Sequence, residues 1–284
     1  LLAAAWMMGA VAAFTLMAVA GRAVSLELDT FEILGYRSAI GIVVIGAIIA
    51  WNRNWQAARL DHPGLHLGRN LIHFTAQNLW FYAIFTIPLA QVFALEFTAP
   101  IWVLILSPFF LGENLTRTRV IAAICGFVGT LLGAQPGSVP ITPGLIAAAA
   151  CAFGFGLTYI MTKKLTGVTG TTTILWWMVV MQTAFGFIAA GVDGDIALPT
   201  AQSLPWVGIL GVTGLAAHFC IARALRVAPA TVVMPFDFLR LPVIAVVGLF
   251  LYDEPLGLLV ILGGALILGG NYVNLRAEAK TRAT

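Results

Sequence analysis

Charge is the scarcest thing in this chain. Only 10% of its 284 residues are Asp, Glu, Lys or Arg, where a soluble domain carries roughly 25%. With 60% hydrophobic residues and a mean hydropathy of +0.97, polar surface is too sparse to cover a water-soluble fold, and a bilayer is the solvent that fits. Cysteine is rare as well. Cys125, Cys151 and Cys220 lie inside apolar runs with no CxxC spacing, which excludes a disulfide framework and a cysteine-based metal site. No metal or cofactor is expected. The chain lacks GxxxxGK[ST], HExxH and GxSxG, and no paired acids share a face; ATP-driven transport and enzymatic catalysis are therefore not expected. No polar stretch is long enough for a separate soluble domain. A net charge of +3 could suggest nucleic acid, but the basic residues sit in loops for a topological reason. The sequence opens at Leu1 without a methionine, and a short preceding segment is expected.

What the chain does have is apolar runs long enough to cross a bilayer, which takes about 20 helical residues. Ten fit, near 3–21, 31–51, 67–85, 88–111, 117–134, 143–162, 172–191, 203–222, 229–251 and 256–275. A cytoplasmic N-terminus puts Arg53, Arg59, Arg69, Arg117, Arg119, Lys163, Lys164, Arg223, Arg226, Arg276, Lys280 and Arg282 at the inner face. That is 12 of the 15 basic residues, as the positive-inside bias requires. Arg22 falls outside with Glu27, Asp29, Asp193, Asp195, Asp253 and Glu254. The expectation is a multi-pass protein of the cell inner membrane with both termini in the cytoplasm.

One stretch occurs twice. Thr86–Leu115 and Val227–Leu256 align at an offset of 141 without a gap. Pro88 falls on Pro229, Phe97 on Phe238, Phe109 on Phe250 and Glu113 on Glu254, while Glu96 falls on Asp237. Hydropathy repeats with the match. The fold class expected is all-α integral membrane, with ten transmembrane helices as two inverted five-helix repeats, 1–135 and 136–284, joined through QPGSVPITPG. Five is odd, so the second half enters the membrane upside down, a recurrent plan for secondary transporters. Small residues, Gly126, Gly129 and Gly133 in the fifth span and Gly263, Gly264, Gly269 and Gly270 in the tenth, let these helices pack closely. Their partner is either each other or another protomer, the latter giving a homodimer.

Ten spans in two halves, an apolar fourth span closed by a glutamate (LGENL, with YDEPL at the ninth), a glycine-rich fifth span and the second-span arginine of GYRSAIG (Arg37) together resemble the drug/metabolite transporter superfamily, EamA type. The likeness covers essentially the whole chain, and its motifs identify fold better than substrate. It implies a secondary transporter with a small-molecule substrate. Within the family the chain resembles an exporter of aromatic and other neutral amino acids, which implies export from the cytoplasm by alternating access through a central cavity. The rival readings are an exporter of another small metabolite or drug, or a non-transporting membrane scaffold. A substrate-sized polar cavity between the halves would argue against the scaffold, and a dry, packed interface for it.

Ionisable residues inside spans are expensive and are candidates for function. Glu96 and Arg37 stand at similar depths, which predicts an ion pair within the first half. The counterpart of Arg37 is Met178, so Asp237 is expected to pair with Arg240, one turn along its own helix. These four read as structural in preference to substrate- or proton-binding. The third span is polar on one face, with His73, Gln77 and Trp80 or Phe81 at helical spacing. His218 is the counterpart of Gln77. His73, Gln77, Trp80 and His218 are expected to line the cavity, helix-to-helix bridging being the plain alternative. Trp102 and Tyr159 read equally as cavity wall or packing, whereas Trp51, Trp55 and Trp206 suit an interfacial belt. Pro88 and Pro229 open the fourth and ninth spans; as well-placed helix starters they also qualify as hinges for rocking hairpins. Pro100, Pro108, Pro235 and Pro242 should kink those spans and free carbonyls near the cavity. Glu113 and Glu254 are expected to favour the N-terminus of the next helix. Proton coupling stays open, with His73 and His218, and Glu96 or Asp237 if their partners let go, as the groups it would use.

Overall fold

Hydrocarbon offers the backbone no hydrogen-bonding partner, so a chain this apolar satisfies itself turn by turn. The computed structural model describes residues 2–24, 27–87, 89–135, 140–192, 196–252 and 257–281, and among these no strand occurs. The helices are α1 (Leu2–Val24), α2 (Thr30–Trp51), α3 (Pro63–Thr86), α4 (Leu89–Glu96), α5 (Ala99–Leu111), α6 (Arg117–Ala134), α7 (Pro143–Val168), α8 (Thr171–Ala190), α9 (Leu204–Val227), α10 (Ala230–Val233), α11 (Arg240–Tyr252) and α12 (Leu258–Thr281). Pro88, Asp193, Asp195, Asp253, Glu254 and Arg282 lie outside the described residues.

Local chemistry sets the ends. Asp29 accepts from the Glu32 amide at 2.8 Å while Glu32 accepts from the Asp29 amide at 2.9 Å, a reciprocal box that starts α2. Thr116 and Thr142 cap α6 and α7. Gly112 ends α5 with φ +65°, a left-handed turn that suits glycine. Every helix start of the first half recurs 141 residues later: Leu2 and Pro143, Thr30 and Thr171, Pro63 and Leu204, Leu89 and Ala230, Ala99 and Arg240, Arg117 and Leu258.

Among the described residues nine helical stretches are long and apolar enough to cross a membrane. The expected third span is not one of them. Its 24 residues form α3, about 36 Å at 1.5 Å per residue, but His66, Arg69, Asn70, His73, Gln77 and Asn78 interrupt its apolar surface. Outward faces elsewhere are apolar, with Val43, Phe109 and Ile188 exposed as lipid contact requires. Trp51 and Trp55 are exposed at the end of α2 and just beyond it, and Trp206 at the start of α9.

Two spans are broken. α4 stops at Glu96 and α5 begins at Ala99, and α10 passes through a 3-10 segment, Met234–Leu239, into α11. Prolines mark both sites: Pro100 opens α5 and Pro235 lies in the 3-10 segment. Carbonyls left free near a cavity are expected from the sequence; in the second break two of them are taken by side chains instead. Asn271 on α12 donates to Pro235 O at 3.0 Å, and Asn274 to Val232 O at 3.4 Å, so side-chain amides replace the donor that proline lacks.

Packing is reciprocal. α1 lies along α9 and α7 along α3, the same pair with the halves exchanged, while α2 pairs with α8 and α6 with α12. The glycine seam joins α6 to α12 inside the chain and so is not free for a second copy. A methyl on Gly129 would come within 2.5 Å of Gly263 O, one on Gly270 within 2.7 Å of Cys125 Cβ, and one on Gly263 would overlap Gly129 O. Gly269 meets nothing within 4 Å. Overpacking costs about 1–3 kcal/mol, so Gly129→Ala should lower the melting temperature of the detergent-solubilised protein while Gly269→Ala leaves it unchanged. Equal melting of the two variants would mean that the seam does not hold α6 to α12.

Candidate functional site

The broken spans bring the buried charges together. Glu96, last residue of α4, accepts from Trp80 Nε1 at 2.6 Å and from Arg240 Nη2 at 2.8 Å. Arg240, first residue of α11, also reaches Asp237 Oδ2 at 3.4 Å. Its guanidinium stacks on Phe97 at 4.8 Å and Phe14 at 5.3 Å from the ring centroids. Phe97 and Phe238, which coincide at the 141 offset, themselves meet at 6.3 Å. Tyr159 packs against the same core.

The Arg37–Glu96 ion pair expected from the sequence does not form, and the charges are not balanced half by half. Equal depth is not adjacency. α2 packs on α8 and α9, and the end of α4 turns Glu96 to Trp80 and α11. Arg37 points instead at Met17 Sδ, 3.6 Å from Nη1.

Arg37 belongs to a second locality. With Ser38, His73, Met178, Val179, Gln182, Gly211, Gly214, Leu215 and His218 it lines a cavity of about 20 Å³, room for one water molecule. The imidazoles of His73 and His218 meet edge to face at 5.0 Å, and Phe155 and Phe14 flank them at 5.9 and 6.0 Å. His73 is 5% exposed, and neither of its nitrogens has a partner in the protein; Gln77 Oε1 and Gln182 Oε1 are likewise buried without one. Gln182 Nε2 donates to Asn70 O at 2.9 Å. Arg69, expected at the inner face, is 2% exposed; it donates to Asn70 Oδ1 at 2.7 Å and Thr162 Oγ1 at 3.3 Å, because small α7 residues admit α3 closely.

Of the six residues expected at a cavity, His73 and His218 line this one. Gln77 follows one turn on, Trp80 serves Glu96, and Trp102 stacks on Phe153 at 5.2 Å while Gly156 packs against its Cβ. Ser38 and Gln182 were missed. Gln182 is the lone amide of its span, one turn beyond Met178, and Ser38 neighbours Arg37; the offset pairing of Arg37 with Met178 could have pointed to both.

Glu113 caps a helix, though not the next one. Its carboxylate accepts from the Ala230 amide at 2.7 Å, the Thr231 amide at 2.9 Å and Thr231 Oγ1 at 2.7 Å, reaching α10 in the other half. Lys163 donates to Leu225 O at 2.6 Å and Ala228 O at 2.8 Å. The turn that ends at Pro229 is thus held from both sides.

Unpartnered polar groups buried between the helices of a multi-pass membrane protein are compatible with a transporter. The comparisons name the family: the profile of the EamA-like transporter family matches residues 1–134 and again 142–276, and the chain belongs to it. A riboflavin transporter of Rhizobium johnstonii is 31% identical over 228 residues, 79% of this chain and 74% of that protein. A riboflavin transporter of Vibrio cholerae is 26% identical across 98% of this chain and 95% of its own. An S-adenosylmethionine uptake transporter of Rickettsia bellii is 25% identical over 80% and 77%. A solved crystal structure superposes with a TM-score of 0.82 over 95% of both chains at 19% identity, which shows the same fold.

Arg240→Met would leave Glu96 and Asp237 buried without their cation and should cost about 3–5 kcal/mol. Trp80→Phe removes one charge-assisted hydrogen bond and should cost about 1.5–3 kcal/mol. Thermal melts in detergent read both; an Arg240→Met protein as stable as wild type would show that Arg240 does not hold the two acids.

Proposed function

We propose that the chain is a secondary carrier of a small organic metabolite, built as two inverted halves, 1–135 and 136–284, whose ten crossings enclose a substrate site at His73 and His218. The observation that carries this reading is the symmetry of the cavity lining. Arg37 and Met178, Ser38 and Val179, and His73 and Gly214 all line it, and each pair is separated by the repeat offset of 141. A site on the axis relating two halves is where alternating access puts a substrate. The two profile matches, the recurring helix starts and the exchanged helix pairs support the division. The basic loops support cytoplasmic termini in a cell inner membrane.

A cavity of one water molecule would by itself suit a scaffold. Family membership stands against that, and so do the buried imidazole and amide atoms left without partners. Each such group costs about 1–3 kcal/mol, a burden from which a static scaffold gains nothing. The site is closed here, and opening requires the two halves to move. The turn at Pro229, latched by Glu113 and Lys163, is the contact that motion must release; Pro88 is its counterpart.

The relatives named for riboflavin and S-adenosylmethionine widen the substrate class beyond the amino-acid export that the family likeness implies. Aromatic rings beside paired imidazoles suit a substrate with a flat ring as well as a neutral amino acid. Counterflow in proteoliposomes tests the reading: preload unlabelled riboflavin, S-adenosylmethionine, phenylalanine, threonine or methionine, and follow uptake of the labelled compound. Exchange of at least one is expected, falling by about tenfold or more, ~1.4 kcal/mol, in His73→Ala and Gln77→Ala. Folded variants that exchange at the wild-type rate would remove the site from this position.

A further inference from the structure

Two sets of charges within the spans differ in character. Glu96 and Asp237 share Arg240 at the broken spans, a set with one negative charge in excess. The cavity between α2, α3, α8 and α9 has the opposite character. Arg37 stands in its wall, and among the described residues no carboxylate lies within ion-pair distance of it. Its polar contact is a thioether sulfur, Met17 Sδ at 3.6 Å. His73 and His218 face the same space, His73 with both nitrogens unpartnered.

A guanidinium held inside a membrane protein without an acid is costly, and such a residue marks a path or a site. The geometry around Arg37 keeps space open beside it. Gly214 carries no side chain, and a methyl there would stand 3.8 Å from Arg37 Nη1. Gly211 lets α9 approach α2 closely, since a methyl at that position would lie 2.8 Å from Ile40 and 3.1 Å from Arg37 O. The symmetry-related wall position is Met178, so the cavity has a cation on one side and a thioether on the other. Such a site orients a molecule with one anionic end.

We infer that Arg37 is the carboxylate-binding residue of this carrier, its planar fork taking a substrate carboxylate with two parallel hydrogen bonds while His73 and His218 face the remainder of the molecule. The inference rests on the carrier reading and narrows its substrate class. It selects carboxylate-bearing metabolites, amino acids and S-adenosylmethionine among them, over an uncharged ring system such as riboflavin.

The test uses the full chain in proteoliposomes preloaded with methionine or S-adenosylmethionine, each followed as the labelled compound. Phenylalanine and phenylalaninol, which differ in the carboxylate alone, are the competitors, and riboflavin is assayed in parallel. Phenylalanine should inhibit at least about tenfold better than phenylalaninol, the worth of a bidentate charge-assisted pair. Arg37→Met should remove that preference and raise KM for the carboxylate substrates, and Arg37→Lys should restore part of it. Because Arg37→Met also removes an unpaired buried charge, it should melt no lower than wild type, and phenylalanine should raise the melting temperature of wild type but not of the variant. Two results overturn the inference while leaving the carrier intact: exchange by wild type without regard to the carboxylate, or an unchanged KM in Arg37→Met. Exchange of none of these compounds by folded wild type overturns the carrier reading and the inference with it.

Discussion

A buried arginine shared by two acids holds the centre of this protein together. Arg240 lies against Glu96 and Asp237 and under two aromatic rings, and each acid stands at the point where a span stops being a regular helix. In hydrocarbon a broken helix exposes backbone that must be satisfied from elsewhere. At the second break Asn271 and Asn274 donate to backbone carbonyls, while Trp80 and Arg240 donate to the Glu96 carboxylate at the first. Everything else, from the reciprocal pairing of α1 with α9 to the glycine seam between α6 and α12, keeps those donors in place.

The same economy of charge separates a structural polar group from a functional one. At the broken spans every carboxylate has a donor. Around the cavity both His73 nitrogens lack a protein partner and Arg37 meets a thioether sulfur, in a space too small for a substrate. In the proposed carrier the first set is structural, and the second is left free to meet a substrate. The contacts of Glu113 with α10, 117 residues away, and of Lys163 with the carbonyls before Pro229 are part-buried and tie this turn to the rest of the chain.

The helix positions were legible in the sequence to within a few residues, because apolar runs of span length are local. The polar face of α3 was legible for the same reason; His73, Gln77 and Trp80 follow helical spacing, and His218 was located by the offset. Neighbours across the fold were not legible. Arg37 and Glu96 share a depth but not an interface, Trp80 turned to Glu96 instead of a cavity, and Arg69 folded inward on Asn70 and Thr162 despite its place near a helix end.

The sequence by itself determined the membrane class, the internal repetition and the residues whose charge must be accounted for. Hydropathy, helical period and internal repetition all act along the chain and need no knowledge of what lies beside it. Only the tertiary structure decided which cation neutralises which acid, that Arg240 crosses 144 residues to Glu96, and that Arg37 is left facing the histidines. Those outcomes depend on which helices become neighbours and on the direction a side chain takes where a helix breaks, and neither is written in the period of any single span.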